Sequence, residues 1–282
     1  MTAHLLIRDG NTNWWLSPDI WVVPGTDPNG ATGSPVAGQP AYLWAHVANT
    51  GDTDADGARI DFYWANPAMQ IIIGAATLIG SAYADLPAGG AQDVLCLVPW
   101  TPTFVNGGHE CVVAVAHSQD EATPLPDPLP NGFDFNPPAH DEIAQRNLSV
   151  LVSTMFELPV PITVFAPPRQ DKEVVVTFEY GGLLDERLLG QLGLRGFHLA
   201  PQEAVEVRLG HEPRCHPHEW AERSHDVRLR VAKGTSSGLF LTVRGRHLER
   251  HQYLPLNIIE WSDGRPLGGI TYVAAHQGSA EP

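Results

Sequence analysis

The chain is 282 residues long, which is enough for two domains of ordinary size that each bury a core without metals or disulfides. It carries 17 basic and 32 acidic residues, and this balance argues against nucleic acid or anionic lipid as a partner, because both are bound through Lys and Arg. With 27 Gly, 25 Pro and 17% charged residues, the composition favours short strands joined by turns. No stretch approaches the ~20 apolar residues of a membrane-spanning helix.

The N-terminal segment contains two adjacent tryptophans, Trp14 and Trp15. Adjacent residues on a strand face opposite sides and cannot both enter one core, so we predict that this pair is exposed and contacts a ligand, such as a sugar ring or a partner's pocket. Packing in the core is the alternative for most indoles of the first half. Residues 1–15 show no secretory signal, which leaves cytoplasm, leaderless export to the cell surface or a removed leader open.

Alternating side chains predict strands at residues 41–48 and 59–64, as in a sheet with one buried face. Between them, residues 49–52 read Asn-Thr-Gly-Asp, which predicts a turn in which Gly51 supplies a positive φ. Residues 94–98 and 111–116 are predicted to pair as a hairpin. Residues 146–152 are predicted as the last strand of this half.

The acidic turn after the first of these strands carries carboxylates at alternate positions: Asp52, Asp54 and Asp56, followed by Gly57. This is the pattern of the front of a calcium loop, in which carboxylates converge on one hard cation. The final ligand position, which should be Glu, is Tyr63. The alternative is a solvated turn, in which Asp bonds its own backbone. Ca²⁺ is the one candidate cofactor, and the sequence requires none.

Three cysteines are too few for a disulfide framework, and the odd count leaves at least one thiol free. Cys96 and Cys111 lie on the two strands of the predicted hairpin and could face each other. We favour two buried thiols that pack as small apolar side chains.

Two proline clusters mark the domain organisation. Six prolines between residues 124 and 138 fix φ and remove donors, which predicts a surface loop. A second cluster at residues 159–168 predicts the domain junction, giving a first domain at 1–156 and a second at 157–282. The second half repeats the alternation of a sheet, with one short helical segment at 183–194. The prediction is therefore an all-β chain of two consecutive immunoglobulin-like β-sandwiches, the second with a helical insertion.

One loop of the second half gathers ligand types that Zn²⁺ prefers, although their spacing is not that of a standard site. The candidate ligands are His211, Cys215, His216 and His218. A polar surface loop enriched in histidine is the favoured alternative. Residues 234–238 fit the Gly-x-Ser-x-Gly pattern of a hydrolase elbow, but a strand follows them, so we predict a hairpin turn.

The order of motifs in the first half resembles the CARDB family, the cell-adhesion-related module of bacteria. The motifs are Val47-Ala48-Asn49-Thr50-Gly51, Ile60-Asp61-Phe62-Tyr63-Trp64, Ile79-Gly80, Leu86-Pro87-Ala88-Gly89-Gly90, Pro99-Trp100-Thr101-Pro102 and His109-Glu110-Cys111-Val112-Val113. The resemblance covers roughly residues 35–152 and implies a seven-stranded immunoglobulin-like sandwich used for attachment rather than catalysis.

These observations predict a non-enzymatic binding or structural protein of the adhesion or assembly type, with a protein or glycan partner and self-assembly as a further option. Two alternatives stay open. One is a carbohydrate-binding accessory that uses tryptophans, and the other is a structural subunit of a phage tail or contractile particle. The sequence contains no convincing catalytic constellation.

Overall fold

A computed structural model describes residues 2–65, 69–103, 111–152, 157–167, 169–212 and 226–276. The chain divides into two compact units. Unit 1 comprises residues 1–66, 71–147 and 191–193, and unit 2 comprises residues 67–70, 148–190 and 194–282. The described residues are nearly all in strands and loops, which confirms the predicted all-β, sandwich-like fold class. None of their helices is long or apolar enough to cross a membrane.

Unit 1 contains two mainly antiparallel sheets. The first sheet is formed by β1 (Leu5–Leu6), β2 (Ile20–Pro24), β3 (Ala41–Asn49) and β6 (Ala91–Leu95). The second sheet has the order β5-β4-β7-β8 and is formed by β4 (Ala55–Ala65), β5 (Ala76–Leu86), β7 (Cys111–His117) and β8 (Ile143–Arg146). Short 3-10 helices lie at Asn11–Asn13 and Pro137–Ala139.

The core between these sheets follows from the predicted alternation. Every second residue of β3 is buried, among them Leu43, Ala45 and Val47, and these residues pack in one cluster with Ile60 and Phe62 of β4. Because successive side chains of a strand face opposite sides, one strand face supplies the core and the other stays partly exposed. The strands predicted at 41–48 and 59–64 are confirmed.

A second apolar cluster lies on the other face of β4 and β7. All seven residues of β7 are buried, and Val113 and Val115 pack here with Tyr63. The proline-rich segment covers them with Leu125 and Phe135, which are 7% and 0% exposed. The proline-rich segment is therefore a loop, as predicted, and no strand is assigned within it. It covers a face of the sheet that would otherwise be exposed to solvent.

The Asn-Thr-Gly turn is held together by the Asn49 side chain, which is only 1% exposed. Its Nδ2 donates to the carbonyl oxygens of Thr53 at 2.8 Å and Leu86 at 2.9 Å. Its Oδ1 accepts from the backbone N–H groups of His4 and Gly51, both at 3.1 Å. One amide thus connects the N-terminal segment, the turn and the end of β5.

The predicted positive φ of Gly51 is wrong, since this residue is not among the glycines in the left-handed region. Glycine is required here for a different reason. A Cβ atom would collide with the carbonyl oxygen of Thr2 and lie 2.6 Å from the backbone nitrogen of His4. The close approach of the N-terminal segment, rather than the turn conformation, excludes a side chain.

Unit 2 also contains two sheets. The smaller has the order β10-β15-β13 and is formed by β10 (Glu157–Phe165), β13 (Val205–Gly210) and β15 (Ser236–Gly245). The larger has the order β14-β11-β16-β17-β9 and is formed by β9 (Leu148–Val152), β11 (Lys172–Tyr180), β14 (Asp226–Val231), β16 (Gln252–Ser262) and β17 (Arg265–Ala275). β12 (His198–Leu199) pairs with β16. A helix α1 (Glu186–Gln191) and a 3-10 helix (Gln202–Ala204) complete the described elements.

The core of unit 2 lies between its sheets and is mainly aliphatic. It gathers Val176 of β11, Leu229 of β14, Leu241 of β15 and Ile258 of β16. The short helix α1 falls within the segment where helical spacing was predicted.

Three strand assignments from the sequence are wrong. The predicted hairpin between residues 94–98 and 111–116 does not form, because β6 pairs with β3 and β7 pairs with β4 in the other sheet. Cys96 and Cys111 therefore lie in different apolar clusters, and both are free and buried, as favoured. The turn at 234–238 likewise leads from β14 to a strand of the other sheet.

The third error concerns residues 146–152, which are divided between the two units. β8 ends at Arg146 and pairs with β7, whereas β9 begins at Leu148 and pairs in parallel with β17. One change between the compact units falls at Asn147, and the domain boundary at residue 156 stays a prediction.

Candidate functional site

The three aspartates of the calcium prediction have separate roles in the described structure. Asp52 Oδ1 accepts the backbone N–H of Thr2 at 2.7 Å, and Asp54 Oδ1 accepts that of Ala88 at 2.8 Å. Asp56 is exposed. Within the described ranges, no three His, Cys, Asp or Glu side chains come together as a metal-binding group. Two of these carboxylates thus fasten neighbouring backbone, and calcium binding stays a prediction.

The zinc prediction falls mostly on residues whose structure is not described. His211 is exposed at the end of the described segment. Cys215, His216 and His218 lie outside the described residues, so zinc binding also stays a prediction.

The predicted exposure of Trp14 and Trp15 is wrong, since the two residues are 6% and 2% exposed. They follow the 3-10 helix in a turn rather than lying on a strand, so the rule that neighbours face opposite sides does not apply to them. Their rings pack edge to face, with centroids 5.6 Å apart and planes at 76°. Neither indole is presented at the surface for a sugar or a partner.

A polar cluster lies on the outer face of the second sheet, beside the proline-rich segment. The Arg59 guanidinium binds Asp127 of that segment through two hydrogen bonds of 2.8 Å, and its Nε donates to Asp61 at 3.1 Å. Ser81 Oγ donates to the same Asp61 oxygen at 2.6 Å. His117 Nε2 lies 3.3 Å from the other oxygen.

The hydrogen bonds of this cluster join the proline-rich segment to the sheet. Burial alone would raise the pKa of Asp61, but the neighbouring His117 and Ser81 and the charge of Arg59 outweigh it and lower that pKa. The Ser81 hydroxyl donates to the carboxylate rather than to the imidazole, which differs from a nucleophile paired with its base. The cluster ties the proline-rich segment to the sheet.

Two carboxyl groups are buried next to β1. Glu121 is 8% exposed and Glu142 is 9% exposed. Glu121 Oε1 accepts the backbone N–H of Leu5 at 2.8 Å. Burial, together with the nearby charge of Glu142, raises the pKa of Glu121 from an ordinary value of 4.5 to about 7, against the opposing effect of the Leu5 N–H. The attachment of the N-terminal strand is thus linked to a proton that is exchanged near neutral pH.

One long edge of unit 1 is unpaired. No described strand pairs with the outer side of β5, which we call the β5 edge. At the opposite end of the same sheet, the segment around Leu16 bridges to Arg146, and Ser17 N–H donates to the carbonyl of Gln145 at 3.0 Å. One edge of this sheet is therefore covered by backbone, whereas the other is open beyond Ala76, which bridges to Ile73.

The β5 edge is also uncharged and apolar. The sequence has no charged residue between Asp61 and Asp85. On the outer face of β5, Leu78 is 50% exposed and Tyr83 is 70% exposed. Charge, proline, coverage and bulges are the usual protections of an edge strand. Residues 76–84 have no charge and no proline, and their irregularity is a single bulge at Ile79.

In unit 2, an open concavity of about 380 Å³ lies on the larger sheet, near the turn between β16 and β17. Its lining includes Trp261 of β16, Val175 of β11 and Arg228 of β14, which the strand register places side by side. Glu173 and Arg230 form the next row. We call this feature the Trp261 concavity.

The charges of the Trp261 concavity are weakly paired. Arg230 approaches Glu173 at 3.6 Å and Asp171 at 3.7 Å, and both are longer than a hydrogen bond. Arg228 makes no ion pair with a described residue. The ring of Trp261 is fixed by its Nε1, which donates to Thr177 Oγ1 at 2.9 Å.

Sequence reasoning missed both features. The sequence shows the run without charged residues around β5. It does not show that β5 lies at the end of its sheet, because that position depends on how the strands pair. Trp261 lay on a predicted strand, yet its row with Val175 and Arg228 depends on a register between segments far apart in the sequence.

No protein-family model matches the chain, and no curated protein matches it. Among solved structures, it is similar to a CARDB domain from Pyrococcus furiosus in complex with di-metal ions, at 16% identity over 53% of this chain and 90% of that chain, with a TM-score of 0.28. It is also similar to red sea bream transglutaminase, at 12% identity over 93% of this chain and 32% of that chain, with a TM-score of 0.24. For CBD12 from CALX1.2 the identity is 10% over 79% of this chain and 77% of that chain, with a TM-score of 0.21.

At 16% identity and a TM-score of 0.28 this similarity leaves the CARDB resemblance a prediction. Function is therefore inferred below from the chain's own contacts.

Proposed function

We propose that this chain is a non-enzymatic assembly module that pairs with a second copy of itself through the β5 edge. The observation that carries this proposal is a strand of 11 residues with an unpaired outer side and no charge between Asp61 and Asp85. Free backbone N–H and C=O groups along an edge are a template for another strand, because each pairing replaces water with a ladder hydrogen bond.

A second copy is the occupant that the charges favour. The chain has a net charge of −15, so two copies repel each other over most of their surfaces. The β5 edge is a stretch along which two copies meet without opposing carboxylates. Antiparallel pairing about a twofold axis also satisfies both edges with one contact, since the same patch serves both chains.

The register can be specified. With the twofold axis at Ser81, and with Ile79 as the bulged residue of each strand, Tyr83 of one copy lies opposite Leu78 of the other. Residues directly opposite in an antiparallel pair share a face, and Leu78 and Tyr83 are both on the outer face of β5. Asp85 of each copy then lies opposite Ala76 of the other, which keeps the two carboxylates at opposite ends of the ladder.

Sedimentation velocity over a concentration series tests the proposal on the full chain. We expect a concentration-dependent dimer, and Leu78→Lys should weaken it by about tenfold or more because it places two lysines beside the pairing edge. Leu183→Lys is the matched control, since Leu183 is an exposed leucine (80%) in unit 2.

Circular dichroism establishes that each variant is folded. A chain that stays monomeric at every concentration would refute the proposal. A folded Leu78→Lys variant that dimerises as tightly as the parent would also refute it, whereas loss of the dimer in Leu183→Lys as well would exclude the β5 edge as the specific contact.

A further inference from the structure

The Trp261 concavity has the composition of a carbohydrate site, and we infer that it binds an acidic sugar, a pyranose that carries a carboxylate. This inference is independent of the β5 edge. Its volume of about 380 Å³ falls within the range of small-ligand sites, about 300–1,000 Å³. All of its lining residues belong to unit 2.

Trp261 supplies an apolar platform. Its indole N–H is already engaged by Thr177, so the group left for a ligand is the ring. One face of a pyranose presents C–H bonds, which pack against an aromatic face while the hydroxyl groups point outward. Val175, next to Trp261 in the register, extends the apolar floor.

The basic residues of the site favour a carboxylate. Arg228 has no ion-pair partner among the described residues, although acidic residues outnumber basic ones 32 to 17 in the chain. Arg230 has only long contacts to Glu173 and Asp171. Guanidinium groups bind carboxylates with paired, charge-assisted hydrogen bonds, so these arginines are suited to the acid group of the sugar.

The acidic residues of the site favour a sugar over a nucleic acid. Glu173 and Asp263 line the same concavity and accept hydrogen bonds from hydroxyl groups. The backbone of single-stranded DNA offers these carboxylates no hydroxyl groups and is bound through basic residues along its length. The strongly negative chain also disfavours non-specific binding of any polyanion, so that binding of a polyuronate points to a local site.

Calorimetric titration of the full chain with oligogalacturonate tests the inference, with a neutral galactan oligosaccharide of equal length and single-stranded DNA as comparators. We expect binding of the uronate alone, and Trp261→Ala should weaken it by about tenfold or more. Arg228→Gln should weaken binding of the uronate by a similar factor. Phe165→Ala, which removes an exposed aromatic ring (38%) from the smaller sheet of unit 2, should leave it unchanged.

Several outcomes would overturn the inference. Equal binding of the neutral oligosaccharide would show that the arginines do not read a carboxylate, and equal binding of DNA would show recognition of charge only. Uronate binding that survives in folded Trp261→Ala would place the ligand elsewhere, and no binding at all would remove the site. Each variant is also examined by sedimentation, so that loss of the β5 dimer and loss of sugar binding are scored separately.

Discussion

The buried carboxyl pair beside β1 predicts how the stability of the fold changes with pH, because burial raises the pKa of Glu121. A carboxyl group with a raised pKa in the folded state holds its proton more tightly there than in the unfolded chain, so its contribution favours folding at low pH. For Glu121 this contribution is complete below its ordinary pKa of 4.5 and is lost as the pH rises through about 7. Glu121→Gln keeps an oxygen that accepts the Leu5 N–H and has no proton to lose, so the variant should lose less stability over this interval.

The size of the effect can be bounded. The interval from 4.5 to about 7 corresponds, at about 1.4 kcal/mol per pKa unit, to at most about 3.5 kcal/mol. Screening by solvent reduces this figure. We expect the parent to lose about 1–2 kcal/mol more than Glu121→Gln between about pH 5 and about pH 8.5.

Urea unfolding followed by tryptophan fluorescence measures this difference mainly in unit 1, because six of the eight tryptophans lie there: Trp14, Trp15, Trp21, Trp44, Trp64 and Trp100. Glu142→Gln should also reduce the loss, since it removes a charge that raises the pKa of Glu121. Glu179→Gln is the control, as Glu179 is exposed on β11 in unit 2. If the parent and Glu121→Gln lose the same stability between the two pH values, the raised pKa of Glu121 is refuted.

Two further predictions concern buried polar contacts. Asn49→Ala removes four hydrogen bonds to backbone groups and should lower the free energy of unfolding by about 2–4 kcal/mol in the same urea assay, and a loss below about 0.5 kcal/mol would contradict the role of this amide. Lys172→Met removes the ammonium group 2.6 Å from Glu260, which is 1% exposed, and should cost about 3–5 kcal/mol in thermal unfolding. Replacing both residues by Met should restore most of that loss, and an equally unstable double variant would show that the ion pair is not its cause.

The sequence predicted those parts of the fold that depend on local alternation. In β3 every second residue is buried, as the period of two requires, because one face of the strand meets a core wherever its partner lies. The Asn-Thr-Gly motif was also located correctly, although the reason for its glycine was not. A close approach by Thr2, almost fifty residues away, decides that position.

Pairing partners could not be predicted in the same way. The segment around Asn147 alternates without interruption, yet β8 pairs antiparallel with β7 and β9 pairs in parallel with β17. The same ambiguity explains the false hairpins, since two strands joined by a loop read alike whether they pair in one sheet or lie in facing sheets. The prediction for Trp14 and Trp15 was wrong for a local reason, because both residues lie in a turn after a 3-10 helix and not on the assumed strand.

The candidate sites show why motif spacing was a poor guide to function here. The aspartates had suitable spacing but separate backbone partners, whereas the Trp261 concavity has no spacing signal because its rows come from three different strands. The β5 edge was recognised because no described strand pairs with its outer side. Since pairing of β5 with β5 consumes the free edge of both copies, this contact closes after two chains and leaves no free β5 edge for a third. An uncharged edge in an acidic chain thus predicts a closed dimer, and a filament built through the same strand is excluded by the geometry of the pairing.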